Sequence, residues 1–342
     1  MSRAPVLWIF LLSGASALVY QVLWARQLGL VFGNTTASIS VVLAAFMAGL
    51  ALGAALAGRI LVRRGHPLRV YAWLEGGIGI YALVFPTLLR GVEALYPALF
   101  SDASSPLALT AFRGLFALAL LLPPTTLMGA TLPLLTESLH RCGAHRLDGN
   151  AGRLYAANTL GAALGTVASG FLAIELLGIA TTVRLAALLN FVVMAIGFAL
   201  ARRIEAPSRA EEPAGPSADL AGSRGSVPLL VVFAGTGALA MAAEVLWTRA
   251  LNFVIGSSTY AFSAILVVYL VGIALGSWTA AKFLRRLRDP GALLPLAILA
   301  AGAWHAFAIE CVGPLVMRAG RLVQGPDPRA SAIGLLGVNG VL

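Results

Sequence analysis

Long apolar runs with almost no charge inside them decide what this chain can become. A helix that crosses a bilayer needs about 20 consecutive, mostly apolar residues. By that rule helices are expected near residues 5–25, 37–62, 69–90, 107–130, 153–177, 181–201, 227–250, 259–284 and 291–318, with a last apolar stretch from about 330 to Leu342. Of the 342 residues 59% are hydrophobic and 11% charged, at a mean hydropathy of +0.89. Soluble domains carry about 25% charged residues, so this chain lacks the charge to clothe a water-facing surface. The expected class is all-α: a polytopic integral membrane helical bundle with about ten helices present, and the lipid bilayer is its first partner.

The formal net charge of +10 fits that class once its distribution is read. Arg59, Arg63, Arg64 and Arg69 follow the second run, and Arg141, Arg146 and Arg153 follow the fourth. Arg202 and Arg203 follow the sixth; Lys282, Arg285, Arg286 and Arg288 follow the eighth. The intervening loops are poorer, with Arg90 beside Glu93 and Asp102, then Arg184. Basic residues in alternate loops mark the cytoplasmic side, so the N-terminus is expected inside, in a multi-pass protein of the plasma or inner membrane. A basic stripe on one soluble face would have suggested nucleic acid; none is read here. Cys142 and Cys311 suggest neither a disulfide framework nor a metal site. The first run outlasts a signal-peptide core and reads as a retained helix.

The chain also repeats itself. Gly14 to Arg63 aligns without a gap to Gly237 to Arg286, at an offset of 223 residues, with roughly 20 of 50 positions identical. Matched pairs include Trp24 with Trp247, Arg26 with Arg249, Gly33 with Gly256, Gly49 with Gly272 and Gly53 with Gly276. Such a repeat, built from apolar segments, points to two homologous membrane halves. The division is 1–203 as a first six-helix repeat, 204–226 as a cytoplasmic linker rich in Pro, Ala, Ser and charge, and 227–342 as a second repeat. Leu342 falls opposite Ala119, inside the fourth helix of the first copy, so the second repeat reads as truncated. Both halves starting inside makes the repeats parallel, related by a pseudo-two-fold along the membrane normal.

Charged and polar groups within such helices are expensive and usually face a cavity or a partner. Gln21, Glu75 and Glu244 are the candidates for a polar lining between the halves, and Gln21 and Glu244 are repeat equivalents. Each lies three residues before a tryptophan, about 4.5 Å deeper if Trp24 and Trp247 mark the outer interface. Arg26 and Arg249 then either snorkel to that interface or meet a ligand. Asn158 is either an interhelical hydrogen-bonding group or a ligand contact. Gly49 with Gly53, Gly272 with Gly276, and Gly161 with Gly165 are spaced to let helices approach closely. Pro123-Pro124 is expected to break or kink the fourth helix.

No phosphate loop, HExxH, CxxC or nucleophile elbow occurs. The glycines of GIGIYAL and GTGALAM lie in apolar helices without flanking strands. No cofactor is expected and no catalytic residue is assigned.

The segments SGASALVYQVLWARQLGLVFG, AAFMAGLALG, PPTTLMGATLPLL and GRLYAANTLGAALG resemble the membrane part of spermidine-synthase-like integral membrane proteins. In that family a membrane domain related to the major facilitator superfamily is fused to an aminopropyltransferase-like domain. The basic turn Gly58-Arg59 to Arg63-Arg64-Gly65 is similar to the facilitator loop motif but lacks its acidic residue. The resemblance implies a facilitator-like module for a small solute, cationic and polyamine-like if the buried carboxylates serve it. Alternatively it implies the anchor of an aminopropyltransferase, fused or associated. The Rossmann-like sheet and acidic motifs of such a transferase are not found in residues 1–342. A scaffold gathering other membrane enzymes is a third reading.

Overall fold

The computed structural model describes residues 4–32, 36–59, 66–99, 106–141, 147–203, 226–255, 259–284 and 293–323. Residues 204–225 of the expected linker, Arg63 and Arg64, Cys142 and the apolar stretch after residue 330 lie outside them. Among the described residues the secondary structure is helical throughout. The helices are α1 (Ala4–Phe32), α2 (Thr36–Arg59), α3 (Pro67–Leu99), α4 (Pro106–Arg141) and α5 (Leu147–Val167). A π-helical turn (Ala168–Ala173) leads into α6 (Ile174–Arg203), followed by α7 (Ser226–Ile255), α8 (Thr259–Leu284) and α9 (Leu293–Val323). Six helical stretches are long and apolar enough to cross a membrane. One of them, Gly152–Arg203, has 52 residues. At 1.5 Å per residue it would measure about 78 Å, more than twice the hydrocarbon core of about 30 Å. It is two crossings joined at Gly178, whose φ of 76° and ψ of 168° lie in a region only glycine enters freely. The expected boundary between the fifth and sixth helices falls at that residue.

The fourth helix departs from expectation. It does not end near 130 but continues to Arg141, through Pro123, Pro124 and Pro133. Proline removes the amide that would bond the carbonyl four residues back. For Pro124 that carbonyl belongs to Leu120, and the Tyr81 hydroxyl of α3 donates to it at 2.8 Å. The neighbouring helix thus supplies the missing donor and the helix carries on.

Glycine governs how closely the helices pack. A Cβ on Gly49 would overlap the Thr125 side chain, and one on Gly53 the Thr126 carbonyl; one on Gly129 would overlap the Leu50 carbonyl. These three glycines bring α2 and α4 into backbone contact. Gly161 and Gly165 of α5 do the same against the Leu11 and Ala15 carbonyls of α1. Gly76, Gly79 and Gly197 seat α3 on α6 through Met194, Phe191 and Ala72. Without a hydrophobic drive between helices in lipid, such close backbone approach is a main source of cohesion.

Two apolar clusters fill this bundle. One gathers Tyr20, Trp24, Phe32, Phe46, Ile78, Phe85 and Leu121; the other gathers Ile9, Phe10, Leu68, Tyr71, Leu134, Leu154 and Val193. Trp24, expected at the outer interface, is instead 1% exposed and stacks between Tyr20 and Phe85, with ring centroids 5.2 and 4.8 Å away. The rise of α1 carries its aromatic face inward against α3. α8 packs on α5 and on the π-helical turn, and α7 touches α2 and α8.

Candidate functional site

Between the two apolar clusters lies a layer of polar side chains. Along α1, Ile9 and Phe10 belong to one cluster and Tyr20 to the other, with Ser13 between them. Along α3, Tyr71 and Ile78 bracket Glu75; along α6, Val193 and Ala186 bracket Asn190. Ser13 and Glu75 stand about 12 to 14 Å from the starts of their helices, at 1.5 Å per residue. That is near the middle of a crossing.

Glu75 is fully buried. The Ser13 hydroxyl donates to its Oε1 at 2.5 Å, and Asn190 Nδ2 donates to its Oε2 at 2.6 Å. The Tyr20 hydroxyl donates to Asn190 Oδ1 at 2.8 Å, which turns the amide nitrogen toward the carboxyl. The Tyr71 hydroxyl, one turn before Glu75, also faces the carboxyl and reaches the Ile9 carbonyl at 3.4 Å. Three helices therefore meet at one carboxyl group, and both its oxygens are engaged. The glycines of the Glu75-Gly76-Gly77-Ile78-Gly79 run make this possible: Gly79 lies against Asn190 Cβ, so α6 approaches near enough for a short amide to reach.

The expected lining of Gln21, Glu75 and Glu244 is divided. Glu75 is tied to α1 and α6, within the first six helices, and shares no hydrogen bond with Gln21 or Glu244 among the described residues. Gln21 is buried on α1. Glu244 is buried on α7, where Tyr269 of α8 faces it while donating to the Ala240 carbonyl at 3.1 Å. Asn158, half-buried, presses its carbonyl and side-chain oxygen on Gly14, at the α1–α5 contact. Arg26 is exposed. Trp247 is half-buried, its ring 6.4 Å from that of His305 in α9. Arg249 is helical in α7, and its side chain is outside the described residues. Among the described residues nothing lies within 4 Å of a Cβ on Gly272 or Gly276.

Four members of the polar layer were not singled out from the sequence: Ser13, Tyr20, Tyr71 and Asn190. Tyr71 stands four residues before Glu75, and Ser13 and Tyr20 stand seven apart, spacings that share a helix face. Asn190 is an isolated amide in an apolar run, the signal of a buried interhelical bond. Among the described residues no group of three or more His, Cys, Asp or Glu is placed to hold a metal.

Compared with known proteins, the chain matches no family model, no curated protein and no solved structure.

Proposed function

We propose that the chain is a facilitator-like membrane module of a spermidine-synthase-like protein, moving or binding a small, polyamine-like cation. In this reading 1–203 and 227–342 are parallel repeats about an axis along the membrane normal, the N-terminus is cytoplasmic, and Gln21 and Glu244 face each other across a central crevice. The observation that carries it is the fully buried Glu75, held by side chains of three membrane-crossing helices. A carboxyl group at that depth is costly and is a mark of ion, proton or solute handling. The packing of α1 on α5 and of α4 on α2, each seated on glycines, supports an exchange-related arrangement of the first three helices and the next three. Uptake of labelled polyamines into proteoliposomes tests the proposal. Flux that falls at least about tenfold in Glu75→Gln or Glu244→Gln supports it; no flux of any polyamine, or flux indifferent to both substitutions, defeats it.

One observation favours a second reading, the non-transporting anchor of an aminopropyltransferase. Among the described residues every hydrogen-bonding partner of Glu75 comes from within the first six helices, as a static helix tie would have it. The reading frame beyond codon 342 tests this. A Gly-rich strand–loop–helix followed by acidic motifs supports the fusion, and an immediate stop codon removes it.

A further inference from the structure

We infer that Glu75 is the site of one exchangeable proton, carried on Oε1 and accepted by Ser13 Oγ. The inference deepens the transport reading and rests on it only for what the proton is used for. It starts from an inequality between the two carboxyl oxygens. Oε2 meets an amide nitrogen, which can only donate. In this orientation the Tyr20 hydroxyl donates to Asn190 Oδ1 from behind. Oε1 meets a hydroxyl, which can donate or accept. Of the two oxygens, Oε1 is thus the one facing Ser13's reversible group.

The exchange balances as follows. With the carboxyl ionised, Ser13 O–H donates to Oε1 and Asn190 N–H donates to Oε2. On uptake of one proton an O–H bond forms on Oε1 and donates to Ser13 Oγ. The Ser13 hydrogen swings to the neighbouring Tyr71 hydroxyl oxygen, which can accept it. Tyr71 keeps its own hydrogen on the Ile9 carbonyl, at 3.4 Å. Oε2 keeps its amide donor throughout. No other covalent bond changes, and every polar atom of the layer has a partner in both states.

Among the described residues the surroundings supply no fixed counter-charge. The side chains acting on the carboxyl are Ser13 from α1, Asn190 from α6 and Tyr71 from α3 itself. The other titratable neighbour is Tyr20 from α1, acting through Asn190. α4, packed on α3, and α5, packed on α1, contribute no hydrogen bond or ion pair to Glu75 among the described residues. An Arg or Lys at this position would have locked the ionised form; a hydroxyl, an amide and two phenols leave the proton free to come and go.

Infrared difference spectroscopy of the full chain in lipid vesicles, titrated with pH, tests this directly. The expected result is a protonated-carboxyl C=O band, equivalent to one group per chain, that disappears as pH rises and is missing from E75Q. In S13A the band moves to higher frequency, because the carboxyl O–H has lost its acceptor. A difference between wild type and E75Q containing only ionised-carboxylate bands, or a carboxyl band that never responds to pH, overturns the inference. Should E75Q fail to fold, S13A decides: a pH-dependent band shifted from its wild-type position supports the inference, and an unshifted band overturns it. If the band and its shift persist while no solute moves in proteoliposomes, the transport reading alone falls. Glu75-dependent flux without the band leaves transport standing and removes the proton site.

Discussion

The sequence repeat gives α1–α2 and α7–α8 the same signature residues, yet the structure surrounds them differently. Trp24 is sealed between Tyr20 and Phe85, whereas its counterpart Trp247 is half-buried beside His305. Gly49 and Gly53 lie hard against Thr125 and Thr126, whereas Gly272 and Gly276 have no neighbour at Cβ distance among the described residues. Gln21 and Glu244 are both buried, and Glu244 is faced by Tyr269 of the adjoining helix. A helix's own residues make it close-packing or stacking in character. What it packs against comes from elsewhere: in the first half, from the Thr125-Thr126 and Gly129 face of α4 and from the aromatic face of α3.

That contrast can be broken or sharpened by paired substitutions, each compared by thermal unfolding in one detergent. The largest difference is expected at the tryptophans. Trp24→Ala should remove about 3–5 kcal/mol, the usual loss for a buried aromatic, and Trp247→Ala less than half of that. Equal losses would mean that both indoles are core residues. Next come the glycines. Gly53→Leu would drive a side chain into the Thr126 backbone and should destabilise by about 1–3 kcal/mol or more. Gly276→Leu, meeting no described neighbour, should stay within about 0.5 kcal/mol of wild type. A matching loss at Gly276 would reveal a partner on that face of α8. Glu75→Ala leaves Asn190 and Ser13 buried without their acceptor and should lose about 1–3 kcal/mol. A smaller loss than that of Glu75→Ala belongs to Tyr20→Phe, about 0.5–1.5 kcal/mol, for one hydrogen bond to Asn190.

Most of the helices were legible because bilayer length and apolar content fix them with little help from tertiary contacts. Even the turn between the fifth and sixth was placed close to Gly178. The run of α4 through its prolines was not legible, because the Tyr81 hydroxyl that completes it comes from another helix. The position of Trp24 was hidden for a similar reason: an aromatic near a helix end suits an interface or a core equally, and only the neighbouring α3 decides. At the candidate site Glu75 announced itself as a carboxylate in an apolar helix. Its partners did not, since Ser13, Tyr71 and Asn190 are unremarkable residues one helix at a time and converge only when Gly76 and Gly79 bring α6 onto α3. The small residues of α3 carried that convergence, and they read in sequence as packing without saying against what.

The central claim is that a single hydrogen-bonded layer about Glu75 joins α1, α3 and α6, and a double-mutant cycle addresses it most directly. Glu75→Met and Asn190→Leu are made singly and together in the full chain, and unfolding free energies are compared. Each single change strands a buried polar partner, whereas the double change replaces both members of the pair by apolar groups of similar size. The account predicts that the double variant is more stable than the sum of the single losses by at least about 1 kcal/mol, within the range of directly coupled residues. Strict additivity would contradict it and leave Glu75 and Asn190 as neighbours that do not hold each other.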